Sequence, residues 1–179
     1  MIIAGGITLI RSITMGKDDA NDEEQGNSVT SLTLDQDSGR SVRWTVRGPL
    51  VAQENFRTYR ITISPSKREY VLYSGYLDSV IDTKTYDNNV RAYEEFIYAL
   101  NNANIGLVRE SDASDFRGVC ATQGIAYMYE TLNQSIADST LWSTTCKESR
   151  GTLGADPLKI QALFVNQLPE FTPSFNSIF

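Results

Sequence analysis

Hydrophobic and polar residues alternate along two stretches in the first half of the chain, SVRWTVR (41–47) and FRTYRITI (56–63). After a short turn follows REYVLYSGY (68–76), which is predicted to be a third strand. In the first, the apolar positions are Val42, Trp44 and Val46, and in the second they are Tyr59, Ile61 and Ile63. A period of two predicts half-buried strands, and short connections between such strands predict a three-strand antiparallel meander.

The pattern changes to a helical period after this predicted meander. Apolar residues recur on one helical face at Val90, Tyr93, Ile97 and Leu100, and Asp87 before them is a favourable N-cap. Two further stretches, 125–132 and 139–146, resemble a second strand pair. The last helix begins with Asp156 as N-cap and Pro157 in the first helical position.

These elements predict an α+β domain over residues 32–169. Its order is β-β-β-α-β-β-α, with an antiparallel sheet (the three-strand meander plus the second strand pair) packed by two helices. Residues 29–34 are predicted to form a short additional strand, and residues 108–119 a loop. The aromatic tail 170–179 is expected to pack on the domain or on a partner.

The N-terminal segment 1–15 is strongly hydrophobic and is followed by an acidic, polar segment at 16–31. Ten apolar residues are too few to cross a membrane, which takes about 20. No basic region precedes them, as a secretory signal requires. We therefore expect the end of a membrane anchor whose beginning is missing, joined to the domain by a flexible linker. A buried strand and the remnant of a signal peptide are the alternatives.

Composition excludes several chemistries. The chain of 179 residues has a net charge of −6 and contains no histidine. Ser-His-Asp and Cys-His nucleophile systems and histidine-based zinc motifs are therefore ruled out. No motif for a cofactor or a metal is found, and the negative charge argues against specific nucleic-acid recognition.

The two cysteines, Cys120 and Cys146, are predicted to form a disulfide. An extracytoplasmic location favours oxidation, and closing a loop of this size stabilises a fold by roughly 3 kcal/mol. Two unpaired thiols and a reactive thiol are the alternatives.

Candidate ligand-binding residues lie on the polar side of the predicted meander. Arg43, Arg47 and Arg60 alternate there on strands expected to be neighbours, so their guanidinium groups would form one cationic patch. Tyr70 and Trp142 are lesser candidates, for stacking against a ligand. The alternatives are a solvated sheet face for the arginines and core packing for the aromatic residues.

The stretches WTVRGPLVAQENFRTYRITISPS and GYLDSVIDTKTYDNNVRAYEEFIYAL resemble a group of uncharacterised, membrane-anchored proteins of the Saccharibacteria. The resemblance covers roughly residues 40–103, and its motifs are structural. It implies an N-terminal anchor, a linker and a domain outside the membrane, and it carries no known activity.

Together these features predict a membrane-tethered extracytoplasmic binding domain without catalytic residues. The expected partners are the membrane, through the anchor, and an envelope or surface protein or an anionic polymer. A structural component of a cell-surface or secretion assembly is the first alternative. An enzyme that uses carboxylates on glycans is the second.

Overall fold

The chain folds as an α+β domain around a single antiparallel sheet. The structure, a computed structural model, describes residues 40–113, 115–117, 119, 124–146 and 151–169. The predicted anchor 1–15, the linker 16–31, the short strand 29–34 and the tail 170–179 lie outside the described residues. Neither described helix is long and apolar enough to cross a membrane.

The sheet has six strands in the order β4-β3-β2-β1-β5-β6. Their bounds are β1 Arg40–Arg47, β2 Arg57–Ile63, β3 Lys67–Ser74, β4 Ser79–Asp87, β5 Ala126–Asn133 and β6 Ile136–Thr144. The first four form an up-and-down meander, and the β5–β6 hairpin then returns to pair β5 with β1. The strands predicted at 41–47, 56–63, 68–76, 125–132 and 139–146 are confirmed to within a few residues.

The predicted three-strand meander is present but incomplete, because a fourth strand extends it. Residues 79–87 pair along β3, with Tyr70 opposite Lys84 and Val71 opposite Thr83. The new strand is exposed along almost its whole length. It therefore lacks the apolar alternation by which the other strands are found in the sequence.

The described part of the chain also contains two helices, α1 at Val90–Asn102 and α2 at Pro157–Val165. The predicted start of α2 is confirmed, since the Asp156 carboxylate accepts the amide of Leu158 at 2.9 Å. The predicted N-cap of α1 is wrong. Asp87 still belongs to β4, and the cap is Asn89, whose side chain accepts the amide of Ala92.

The apolar side of the sheet and both helices share one hydrophobic core. Phe164 of α2 lies at its centre, fully buried, with its ring 5.9 Å from that of Trp44 and 5.0 Å from that of Phe96. The apolar sides predicted for the first two strands are confirmed. On α1 the buried positions are Tyr93, Phe96, Ile97 and Leu100, whereas Val90, predicted to be buried, is half exposed.

A short segment at residues 151–154 covers the outer edge of β6. Leu153 donates its amide to the carbonyl of Trp142 at 2.8 Å, and the Trp142 amide donates to Oγ1 of Thr152 at 3.2 Å. The segment also bonds to the predicted loop 108–119 through the Val108–Leu153 bridge. The main-chain groups of β6 at Trp142 are thereby satisfied.

Candidate functional site

Three arginines share the side of the sheet that faces away from the helical core. Thr45 of β1 lies opposite Arg60 of β2, and this pair stands between Arg43 and Arg47. Directly opposed residues in an antiparallel pair point to the same side of the sheet. We call this side of β1 and β2, with its three arginines, the arginine face.

Arg43 is held by a carboxylate on the neighbouring strand. Glu130 of β5 lies directly opposite it and accepts from Nε at 2.7 Å and from Nη2 at 2.8 Å. This hydrogen bonding raises the pKa of Arg43. A bidentate, partly buried pair of this kind is strong and geometrically fixed. The donors that Arg43 uses here are not available to a ligand.

Arg60 is held in a similar way by the turn between β3 and β4. Its Nη2 donates to Oδ2 of Asp78 at 2.9 Å, and its guanidinium carbon lies 4.7 Å from the centre of the Tyr73 ring. Asp78 has a φ of +52°. Aspartate tolerates this left-handed conformation better than most residues, and here it aims the carboxylate at Arg60.

Arg47 has a different environment. Its guanidinium carbon lies 5.1 Å from the ring centre of Phe56 and 5.5 Å from that of Phe116. Within the described part of the chain, no carboxylate lies within ion-pair distance of it. Burial lowers the pKa of Arg47; the charge of Asp78 opposes this shift, and the charge of Arg60 adds to it. The cation is thus partly dehydrated and held by two rings, and among the described residues no group accepts a hydrogen bond from its guanidinium donors.

The arginine face is less open and less positive than the sequence pattern predicts. Thr45, which lies between Arg43 and Arg47 on this side of the sheet, is fully buried. The charges of Arg60 and Asp78 cancel in their ion pair, so the charge of Arg47 is the one that remains. Asp78 also attracts Arg47, but from beyond ion-pair distance. The face therefore presents a single partly buried cation rather than three equivalent ones.

The two aromatic candidates do not join this site. Tyr70 lies on the opposite side of the sheet, buried in the core with its ring 6.1 Å from that of Tyr59. Trp142 shares the side of the arginines by its register with Met128, but its side chain is buried beside Gly151. Both side chains are placed as packing residues, which is the alternative that the sequence left open.

The cysteines are only partly described. Cys146 follows β6 and donates its amide to Oγ1 of Thr144 at 3.2 Å. The residue before it, Thr145, donates its amide to the carbonyl of Ile125 at 3.0 Å, so the two residues continue the pairing of β5 with β6. Cys120 lies outside the described residues, so the disulfide stays a prediction.

Four residues of the site were not predicted: Phe56, Asp78, Phe116 and Glu130. The alternation of the sequence identifies the arginines, but their partners come from distant strands and turns. Glu130 alone had a usable signal, because it stands on the polar side of the predicted strand 125–132. The other three depend on loop geometry.

Comparison with known proteins adds no family assignment. No family model matches the chain, and no curated protein sequence matches it significantly. The geometry around Arg47 is therefore the feature of this chain that bears most directly on its function.

Proposed function

We propose that this protein is a membrane-tethered, extracytoplasmic binding domain whose arginine face holds an anionic group of an envelope polymer or surface protein. The observation that carries the proposal is the environment of Arg47, a half-buried guanidinium between two aromatic rings with no carboxylate partner among the described residues. Its two neighbouring arginines are already bound to Glu130 and Asp78.

Removing a charged group from water costs free energy. A cation that leaves water without an ionic partner is destabilised. Burial of Arg47 has this effect, as the lowered pKa indicates. A phosphate or carboxylate bound there would restore the lost interactions, and a guanidinium presents paired donors that match either group. Because Arg47 is already partly dehydrated in the folded protein, the dehydration cost that remains to oppose binding of an anion is smaller.

The same residues explain why binding is favoured over catalysis. A guanidinium and two aromatic rings orient and neutralise an anion, but they provide neither a nucleophile nor a general base near neutral pH. Asp78, the acidic group whose charge acts on Arg47, is engaged by Arg60. This arrangement supports recognition of a charged group.

Replacing Arg47 with glutamine tests the proposal. The probes are a poly(glycerol phosphate) chain and a polyglutamate peptide, with neutral dextran as the uncharged control, titrated by calorimetry. A hydrogen bond to a charged group contributes about 1.5–3 kcal/mol, so Arg47→Gln is expected to weaken binding of an anionic probe by about tenfold to a hundredfold. Arg91→Gln on α1 removes the same charge elsewhere and is expected to change the affinity little.

Salt provides a second, independent readout. Raising NaCl from about 0.01 M to about 1 M shortens the Debye length from about 30 Å to about 3 Å. The affinity of the native protein for an anionic probe is expected to fall over this range, and that of Arg47→Gln to fall less. Equal affinities for the Arg47→Gln and Arg91→Gln variants would exclude the arginine face as the binding site.

The location is a separate part of the proposal. The hydrophobic segment 1–15, the acidic segment 16–31 and the resemblance of residues 40–103 to Saccharibacterial anchored proteins support a domain tethered outside the membrane. Extraction of membranes with alkaline carbonate tests it, since a tethered protein stays in the pellet and a peripheral one is released. Protease added to intact cells is expected to digest the domain.

A further inference from the structure

The outer edge of β4 is the longest uncovered strand edge among the described residues. The strand runs for nine residues at the end of the sheet, and eight of them are exposed. Every second N–H and C=O of such a strand points outward without a strand partner. The opposite edge differs, because residues 151–154 cover β6 at Trp142.

We propose that β4 pairs with β4 of a second copy of this chain, in antiparallel orientation about a two-fold axis at Thr83. The charges of the strand carry this proposal. In that register Asp82 of each copy lies opposite Lys84 of the other, and the symmetry makes two such pairs. Asp82 and Lys84 also lie on one side of the sheet, as facing residues must, because they oppose Leu72 and Tyr70 of β3.

The charges select this register over its neighbours. A shift by two residues, the smallest that keeps side chains on the same side, places Asp82 opposite Asp82 or Lys84 opposite Lys84. Like charges directly opposite one another destabilise a strand pair, whereas opposite charges stabilise it. Neither side chain has an ion-pair partner within the described residues.

The geometry of the strand also limits the extent of the pairing. A register irregularity in the β3–β4 ladder lies between Leu72 and Tyr73, next to Ile81 of β4. We expect the regular contact to run from Ile81 to Thr85. Two six-stranded sheets would join along this short strand, so the association should be weak and dependent on concentration.

Charge reversal on the full chain tests the proposal by sedimentation velocity. The native chain is expected to dimerise as its concentration rises. Asp82→Lys and Lys84→Asp alone should each lose at least tenfold in dimer affinity, because each makes both cross-strand pairs like-charged. Mixing the two variants restores two opposite-charge pairs, so the mixture is expected to dimerise, as is the double variant Asp82→Lys/Lys84→Asp.

Three outcomes would overturn the proposal. A native chain that stays monomeric at every accessible concentration excludes the dimer. Equal association of the native chain and both single variants assigns the contact to another part of the protein. Slow hydrogen exchange of the outward β4 amides in the monomer shows that another segment of the same chain already covers this edge.

Discussion

Replacing Gly151 with alanine perturbs the segment that covers the edge of β6. Gly151 has a φ of +71°, and a Cβ added to it would overlap the carbonyl oxygen of Trp142 and lie 2.5 Å from Cε3 of the indole ring. Backbone and ring are both rigid and buried at this point. Two effects therefore act at one residue, a strained backbone and a clash that the neighbour cannot relieve by rotation.

Two other glycines separate these effects. Gly75 has nearly the same φ, +70°, but its added Cβ meets the flexible side chain of Gln53, with Cγ at 3.2 Å. Gly154 has no positive φ, but its added Cβ would lie 2.6 Å from both the carbonyl oxygen and Cγ of Leu107. Gly75→Ala thus isolates the strain, and Gly154→Ala isolates the clash.

The magnitudes follow from the two effects. Left-handed backbone costs a residue with a Cβ roughly 1–2 kcal/mol, and overpacking a buried site costs about 1–3 kcal/mol. Alanine recovers about 0.4–1 kcal/mol by restricting the unfolded chain. Gly151→Ala should therefore lower the free energy of unfolding by about 3 kcal/mol, Gly75→Ala by about 1 kcal/mol, and Gly154→Ala by an intermediate amount.

Urea unfolding of the three variants, followed by tryptophan fluorescence, measures these differences. A thermal scan should show Gly151→Ala about 6–12 °C below the native protein. The reasoning would be refuted if Gly151→Ala were no less stable than Gly75→Ala, because the contact with Trp142 would then carry no cost.

Three further predictions concern the core, the tyrosines and the cysteines. Phe164→Ala should lower the free energy of unfolding in urea by about 3–5 kcal/mol, and Phe164→Leu should lower it clearly less, since leucine keeps most of the buried volume. Equal losses of stability for the two variants would contradict the central position of the ring. Burial raises the pKa of several tyrosines, to about 12 for two of them, so stability that is fully present below pH 10 is expected to be lost as pH rises through the raised values. Because the chain has nine tyrosines, phenolate absorbance showing that all nine titrate near pH 10 in the folded protein would contradict a raised pKa for five of them. The five are Tyr59, Tyr70, Tyr93, Tyr127 and Tyr129. Intact-mass analysis without reductant should show the loss of two hydrogen atoms for a Cys120–Cys146 disulfide, and reduction should lower the thermal midpoint. Two alkylatable thiols in the native protein would exclude the bond.

The sequence pattern predicts those strands that have one apolar side. β1 and β2 alternate strictly, and their apolar residues are buried in the core. β4 has the sequence SVIDTKTYD and is exposed on both sides, so burial imposes no alternation on it. A strand at the edge of a sheet is defined by the neighbour it pairs with, and the local sequence does not contain that information.

Local chemistry also leaves the start of α1 undecided. Asp87 and Asn89 are both favourable N-caps. The choice between them depends on where β4 ends, and the pairing of Lys67 with Asp87 places Asp87 in the strand. Val90 is then the first helical residue and is half exposed, whereas Phe96 is buried in the core.

In the candidate site, too, the local sequence predicts where the arginines lie, but not which residues from distant parts of the chain contact them. A period of two predicts that Arg43, Arg47 and Arg60 share a side of the sheet. It does not predict that two of them are neutralised, because Glu130 arrives through the distant pairing of β5 with β1 and Asp78 through a turn with positive φ. The special position of Arg47 therefore emerges only from the folded chain.

The most direct test of the account is to observe the guanidinium groups during binding. The Nε–Hε resonances of Arg43, Arg47 and Arg60 can be followed by NMR as a poly(glycerol phosphate) chain is added. We predict that the Arg47 resonance shifts and saturates, while that of Arg43 stays in place because Glu130 holds it. An unchanged Arg47 resonance while the probe binds would contradict the proposal that this residue recognises the anion.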